Sequence, residues 1–110
     1  MAYIGIDVGT TGSKATVIEQ SGEIVLSIYH EYDLELPKPG YETMNPTKVW
    51  NAVKRALSEA AAQYGTPSEA SAAASFGEAV VFIGEDDKPV CDSIFYTDIR
   101  GTESLDELRS

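Results

Sequence analysis

Two short apolar segments, residues 2–6 and 13–18, flank the run Asp7-Val8-Gly9-Thr10-Thr11-Gly12, and no other feature limits the fold so strongly. Tyr3, Ile4 and Ile6 are interrupted only by Gly5, and Ala15, Thr16 and Val17 resume the run after the glycines. β-Branched and aromatic residues on both sides of so short a Gly/Thr interval predict strand, tight loop, strand. Gln20-Ser21-Gly22 is a second turn signal, and residues 23–32, rich in Ile, Val, Leu and Tyr, predict a third strand. The chain therefore opens as a three-stranded meander.

Residues 33–45 carry Pro37, Pro39 and Gly40, which break regular structure and predict a crossing loop. Asn45 is a preferred N-cap and Pro46 suits the first helical position, where its missing N–H is not needed. Val49, Trp50, Val53, Leu57, Ala60, Ala61 and Tyr64 then recur at three- and four-residue spacing, which predicts a helix with Trp50 and Tyr64 in the core. Gly65 and Pro67 stop it. Residues 70–75 are small and read as a short buried strand before Phe76-Gly77. Residues 80–83 and 90–96, around the acidic turn Glu85-Asp86-Asp87, read as a further hairpin. A loop through Asp98, Arg100 and Gly101 leads to a helix start capped by Ser104, which ends after barely two turns, as though the chain were cut. A meander that precedes the helical crossover is an α/β order unlike the strict alternation of a dinucleotide-binding fold. There is no internal repeat.

With 110 residues there is room for one modest core. Eight Lys and Arg against 18 Asp and Glu give a net charge of −10, which repels a phosphate backbone and argues against nucleic-acid binding. The 43% hydrophobic content is that of a packed globular protein. A single cysteine, Cys91, excludes an internal disulfide framework and a cysteine zinc site; it is expected as a half-buried small hydrophobe in a reducing cytoplasm. No apolar run approaches the roughly 20 residues of a membrane span, and no basic leader precedes the first strand, so neither membrane insertion nor export is expected. The lone His30 reads as a surface side chain, and Glu85-Asp86-Asp87 as a solvated turn without the spacing of a calcium loop.

Chemistry concentrates in Asp7-Val8-Gly9-Thr10-Thr11-Gly12-Ser13-Lys14. Glycines let a backbone approach phosphate oxygens, Thr10 and Thr11 bring hydroxyl donors, and Lys14 offsets charge. A carboxylate at Asp7 would repel phosphate directly, so its natural partner is Mg²⁺, which prefers oxygen ligands and keeps several waters. The segment is not a P-loop, because the G-x-x-x-x-G-K-[ST] spacing is missing and a strand follows. By residue type alone an ordinary Asp/Gly/Thr hairpin turn accounts for it as well. Asp98 and Arg100, taken alone, equally suit a solvated loop ion pair.

Three stretches together resemble the start of an FGGY family carbohydrate kinase, in the superfamily of actin, Hsp70 and hexokinase folds. Residues 3–14 resemble the family's first phosphate motif. Pro39-Gly40-Tyr41-Glu42-Thr43-Met44-Asn45-Pro46, with Trp50, resembles the stretch before its first long helix. Lys88-Pro89-Val90 through Phe95-Tyr96-Thr97-Asp98-Ile99-Arg100 is similar to the strand and loop that approach the sugar. The resemblance implies a ribonuclease H-like α/β fold, a mixed sheet flanked by helices and truncated here. Residues 1–110 would be the N-terminal part of the first domain, with the second lobe and the aspartate that acts as general base lying outside them.

The implied activity is phosphoryl transfer from MgATP to a hydroxyl of a small sugar or polyol, with similarity to xylulose kinases. By position, Asp7 would organise Mg²⁺, Gly9, Thr10, Thr11 and Lys14 would meet the phosphates, and Asp98 would bind the sugar with Arg100 holding its carboxylate. Glu78 would accept a sugar hydroxyl from a loop where Phe76 and Gly77 replace the polar residues common in relatives, and Tyr96 stands where many carry Trp. The 110 residues alone would be inactive, and a homodimer of the full-length protein is allowed for. Two rivals stand beside this expectation, an ATPase of the same superfamily that drives a partner protein and a non-catalytic binding module.

Overall fold

The computed structural model describes residues 1–110 and divides them into two compact units, one of Met1–Asp33 with Thr47–Gly77 and one of Leu34–Pro46 with Glu78–Ser110. In the first unit the meander is formed as the sequence predicts. Strands β1 (Ala2–Val8), β2 (Gly12–Glu19) and β3 (Ile24–Glu31) pair antiparallel. Helix α1 (Pro46–Tyr64) follows, starting at the proline and ending one residue before Gly65, whose φ of 74° is the left-handed conformation that glycine adopts without strain. Strand β5 (Ala70–Ser75) then runs parallel to β1, giving a mixed sheet in the order β3-β2-β1-β5.

α1 covers one face of this sheet. Ala56 and Ala60 cluster with Ala2, Ala15 and Val17, and Ile4, Leu26, Ile28, Leu57 and Tyr64 pack around them. The helix's buried centre is Ala52, Val53, Ala56 and Ala60. Trp50 lies off that line and is 58% exposed, which corrects its expected place in the core; Ala61 is exposed as well. His30, expected at the surface, is largely shielded, because its Nε2 is 3.0 Å from Glu59 Oε2 and ties β3 to α1. β5 is a strand as expected, yet all six of its residues are exposed rather than buried; within residues 1–110 it pairs with β1 alone.

The second unit holds two two-residue strands, β4 (Thr43–Met44) and β6 (Ser93–Ile94), paired antiparallel. The expected hairpin over 80–96 is formed only next to its turn, where Gly84 N–H donates to the Lys88 carbonyl at 2.8 Å and Val90 N–H to the Phe82 carbonyl at 2.9 Å across an isolated Ile83–Pro89 bridge. Farther from the turn it is not continued, and residues 93–94 pair instead with a segment some 50 positions earlier. The acidic turn is exposed as expected, and Cys91 is exposed rather than half-buried. At the end, a 3-10 turn at Thr102–Ser104 runs into the short helix α2 (Leu105–Arg109). Ser104 makes no side-chain cap hydrogen bond, because it belongs to the preceding turn instead of standing free ahead of the helix.

Candidate functional site

The candidate phosphate loop lies in the first unit. β1 ends at Val8 and β2 begins at Gly12, so Gly9, Thr10 and Thr11 make the entire connection. Gly9 N–H donates to the Gly12 carbonyl at 2.9 Å and closes it, while the N–H groups of Thr10 and Thr11 reach no backbone carbonyl. Asp7 and Lys14 face each other in the β1–β2 register, and Tyr29 lies opposite Lys14 on β3. Since alternate residues of β2 point to opposite faces, Lys14 and its cross-strand partners project from the face away from α1. Asp7 and Lys14 are both exposed, and neither enters an ion pair within the chain. A carboxylate and an ammonium are thus left free at the foot of a loop that offers two unpaired N–H groups.

A residue that sequence reasoning passed over holds this loop in shape. Tyr32 donates its hydroxyl to the Gly9 carbonyl, accepts from Ser13 Oγ at 3.3 Å, and donates its N–H to the Thr11 carbonyl at 3.1 Å. It is 8% exposed, and burial pushes its phenol pKa up, so the hydroxyl stays a donor at neutral pH. The only sequence signal was its place at the end of the third strand, level with the first turn in a meander. Thr11 Oγ1 is tied in turn to the Tyr29 hydroxyl at 3.0 Å.

The candidate sugar residues belong to the second unit. Asp98 Oδ1 accepts from the Arg100 N–H at 2.8 Å and from Arg100 Nε at 2.9 Å; Oδ2 accepts from Arg100 Nη2 at 2.6 Å and from the Glu42 N–H at 2.7 Å. The Asp98 side chain has no exposed surface. Arg100 lies over the Tyr41 ring, 4.5 Å from its centre, and the Thr97 hydroxyl donates to the Glu42 carboxylate. Asp98 and Arg100 are therefore brought together, as the sequence suggested, but as a closed fork instead of a loose surface pair. Glu78 is exposed and shares no hydrogen bond with either of them.

The Arg100 hydrogen bonds, reinforced by the two backbone N–H groups, hold the Asp98 carboxyl well below the usual carboxylate range. The native value is depressed, so the stability this gives is present above the ordinary aspartate value and is lost as pH falls through the native one. Urea midpoints should therefore drop from about pH 4 downward, with a shallower drop in Asp98→Asn. A constant gap between the two proteins across that range would show that the fork does not form in solution.

Over residues 2–110 the sequence matches the family model described as the N-terminal domain of FGGY carbohydrate kinases. The chain belongs to the FGGY family of carbohydrate kinases. A glycerol kinase of Haloarcula marismortui is 28% identical over 97% of this chain. Among solved structures, a ligand-bound xylulose kinase from Lactobacillus acidophilus superposes with a TM-score of 0.90 at 24% identity over 98% of the chain. A Plasmodium falciparum glycerol kinase with ADP superposes with a TM-score of 0.85 at 18% identity over 97%. At such identities the superpositions establish the fold, that of the FGGY sugar kinases, as expected. The chain spans 22% of the length of each of these three relatives.

Proposed function

We propose that the complete protein carrying these residues transfers a phosphoryl group from ATP to a hydroxyl of a sugar or polyol. Asp7, Gly9, Thr10, Thr11 and Lys14 form part of the phosphate side, and Glu78 with the Asp98–Arg100 loop part of the sugar side. The observation that carries this reading is the Gly9–Thr11 connection, with two unpaired N–H groups beside an unpaired carboxylate and an unpaired ammonium, in a chain that belongs to a carbohydrate kinase family.

Within that reading each group has a task. The free N–H groups and Lys14 donate to phosphate oxygens and offset their charge. Asp7 fits one ligand of a Mg²⁺ ion: no cluster of three or more metal-binding side chains is present, and an ion that takes most of its ligands from phosphate and water needs only one carboxylate. Such an ion, when bound, neutralises charge that builds up on the phosphoryl group. Phosphoryl transfer relies on positioning and charge stabilisation more than on covalent participation, so Tyr32 matters by fixing where the Gly9 and Thr11 carbonyls, and with them the free N–H groups, are held. None of the 110 residues is assigned as the general base, and the segment by itself is expected to be inactive.

The acceptor is a small molecule, xylulose and glycerol being the first to try, and the same reading includes a cytoplasmic homodimer with no part for nucleic acid. No helix is long and apolar enough to cross a membrane. The deciding assay is ADP formation by the complete protein with MgATP and a panel of polyols, ketoses and sugar acids. At least one acceptor is expected to stimulate it well above the rate with water alone. Failure of every acceptor would overturn the proposal and favour an ATPase of the same superfamily that works on a partner protein.

A further inference from the structure

The resemblance to sugar kinases implies that Asp98 binds the sugar, but its surroundings leave it no capacity for one. A carboxylate can accept about four hydrogen bonds. Here two N–H groups of the Arg100 side chain, the Arg100 backbone and the Glu42 backbone already supply four, at 2.6–2.9 Å, and Arg100 Nε lies within 3.1 Å of the second oxygen as well. No part of the side chain is exposed. A sugar hydroxyl would have to displace one of these N–H donors, and exchanging the charged guanidinium for an uncharged hydroxyl gives up a bidentate bond between two ions, which is unfavourable.

Arg100 is placed differently. Nε and Nη2 are committed to Asp98, while Nη1, with two N–H donors, enters no hydrogen bond within the chain; the side chain is 32% exposed, and the guanidinium plane rests over Tyr41. The fork is also anchored on both sides. Ile99 N–H donates to the Gly40 carbonyl at 3.1 Å, Phe95 N–H donates to the Glu42 carbonyl at 2.9 Å, and Glu42 N–H ends on Asp98.

We propose that Asp98 is a positioning residue, which locks residues 95–100 onto residues 40–42 and fixes Arg100 so that its unpaired terminal nitrogen donates to an oxygen of the acceptor substrate. This rests on the sugar-kinase reading above but reassigns the direct contact from Asp98 to Arg100. It also implies that the acceptor contributes a hydrogen-bond-accepting oxygen at that point, which every sugar or polyol hydroxyl can do.

A double-mutant cycle on the complete protein separates the two assignments. If Asp98 works through Arg100, then Asp98→Ala, Arg100→Ala and the double variant should each raise the acceptor KM by a similar factor, about tenfold for one lost charge-assisted bond, with the KM for ATP nearly unchanged. Arg100→Lys keeps the charge without the fork and should not restore the acceptor KM. A double variant whose effect is the product of the single ones, or a neutral Arg100→Ala beside a damaging Asp98→Ala, would overturn the proposal. Hydrogen exchange of the protein without ligands provides the arm that needs no turnover. The Glu42 and Arg100 amides should be protected, and should lose protection in Asp98→Ala. Rapid exchange of both amides in the unaltered protein would refute the lock whatever the substrate. Protected amides in a protein that phosphorylates no acceptor would instead leave the lock standing, refute the sugar-kinase reading, and with it remove Arg100's substrate contact.

Discussion

Asp7→Ala in the complete protein is expected to lower kcat by about 100-fold or more, the scale of losing one preorganised electrostatic group, while the acceptor still binds. The expectation follows from where the carboxylate stands. Asp7 is exposed, next to the end of β1, and unpaired, so no ion pair or packing contact is lost with it. Substitution at such a surface position should change stability by no more than about 0.5 kcal/mol, which separates a catalytic effect from unfolding. Asp7→Asn keeps the shape and removes the charge; if the carboxylate organises Mg²⁺, that variant should need far more Mg²⁺ to approach its own maximal rate. Acceptor affinity, measured by calorimetry without nucleotide, should stay within about twofold of the unaltered protein, because a phosphate-side group adds little to the binding of the other substrate. Full turnover in Asp7→Ala at ordinary Mg²⁺ would remove Asp7 from the phosphate side altogether.

How much of this was legible in the sequence depends on the range over which each element is determined. The meander and α1 are local. Period-two alternation, the turn at Gly22, and Pro46 and Gly65 at the helix ends all act within a few residues, and the strands and helix fall where those signals put them. The β4–β6 pairing is not local. It joins Thr43 to Ile94 across the whole of α1, and nothing in either dipeptide announces the other, so the apolar residues 80–83 and 90–96 suggested a hairpin with each other. Trp50 misled for another reason. Large apolar residues dominate any sequence estimate of a helix's buried stripe, whereas the buried line here runs through Ala52, Ala56 and Ala60, residues that carry little weight in such an estimate.

The candidate site divides the same way. The glycines, threonines, Asp7 and Lys14 were visible because they are contiguous. The Asp98–Arg100 pairing was visible because the two lie two positions apart. What could not be seen was occupancy: that Glu42, 56 positions away, brings its N–H to Asp98 and completes the enclosure of its carboxylate, or that Tyr32 reaches back 23 positions to Gly9. Both are long-range hydrogen bonds to backbone groups. The side chain at one end and the main chain at the other leave no complementary pair of residue types to read.

The tightness of the Gly9–Thr11 loop leads to the second large effect, a graded response of the glycines around it to alanine. A Cβ at Gly12 would lie 2.5 Å from the Tyr29 ring and hydroxyl and 2.6 Å from the His30 carbonyl oxygen. Tyr29 can swing aside, at the cost of its bond to Thr11, but the His30 carbonyl is main chain of β3, and relieving that contact requires the β2–β3 pairing to shift. Overpacking of this kind costs about 1–3 kcal/mol, a large share of the roughly 5–15 kcal/mol that holds a domain folded. At Gly9 the Cβ would sit 3.0 Å from the Gly12 carbonyl, the acceptor that closes the turn, so a smaller adjustment suffices. At Gly5 it would meet nothing within 4 Å, and alanine there should be neutral or slightly stabilising, since it restricts the unfolded chain. Urea midpoints should therefore rank Gly5→Ala above Gly9→Ala above Gly12→Ala. The KM for ATP in the complete protein should worsen in the same order, because the shift that relieves Gly12→Ala moves the segment carrying the free Thr10 and Thr11 N–H groups. A Gly12→Ala protein as stable as Gly5→Ala would mean that the loop is loose enough to absorb a methyl group, and a loop that loose could not hold those N–H groups in a fixed place for phosphate.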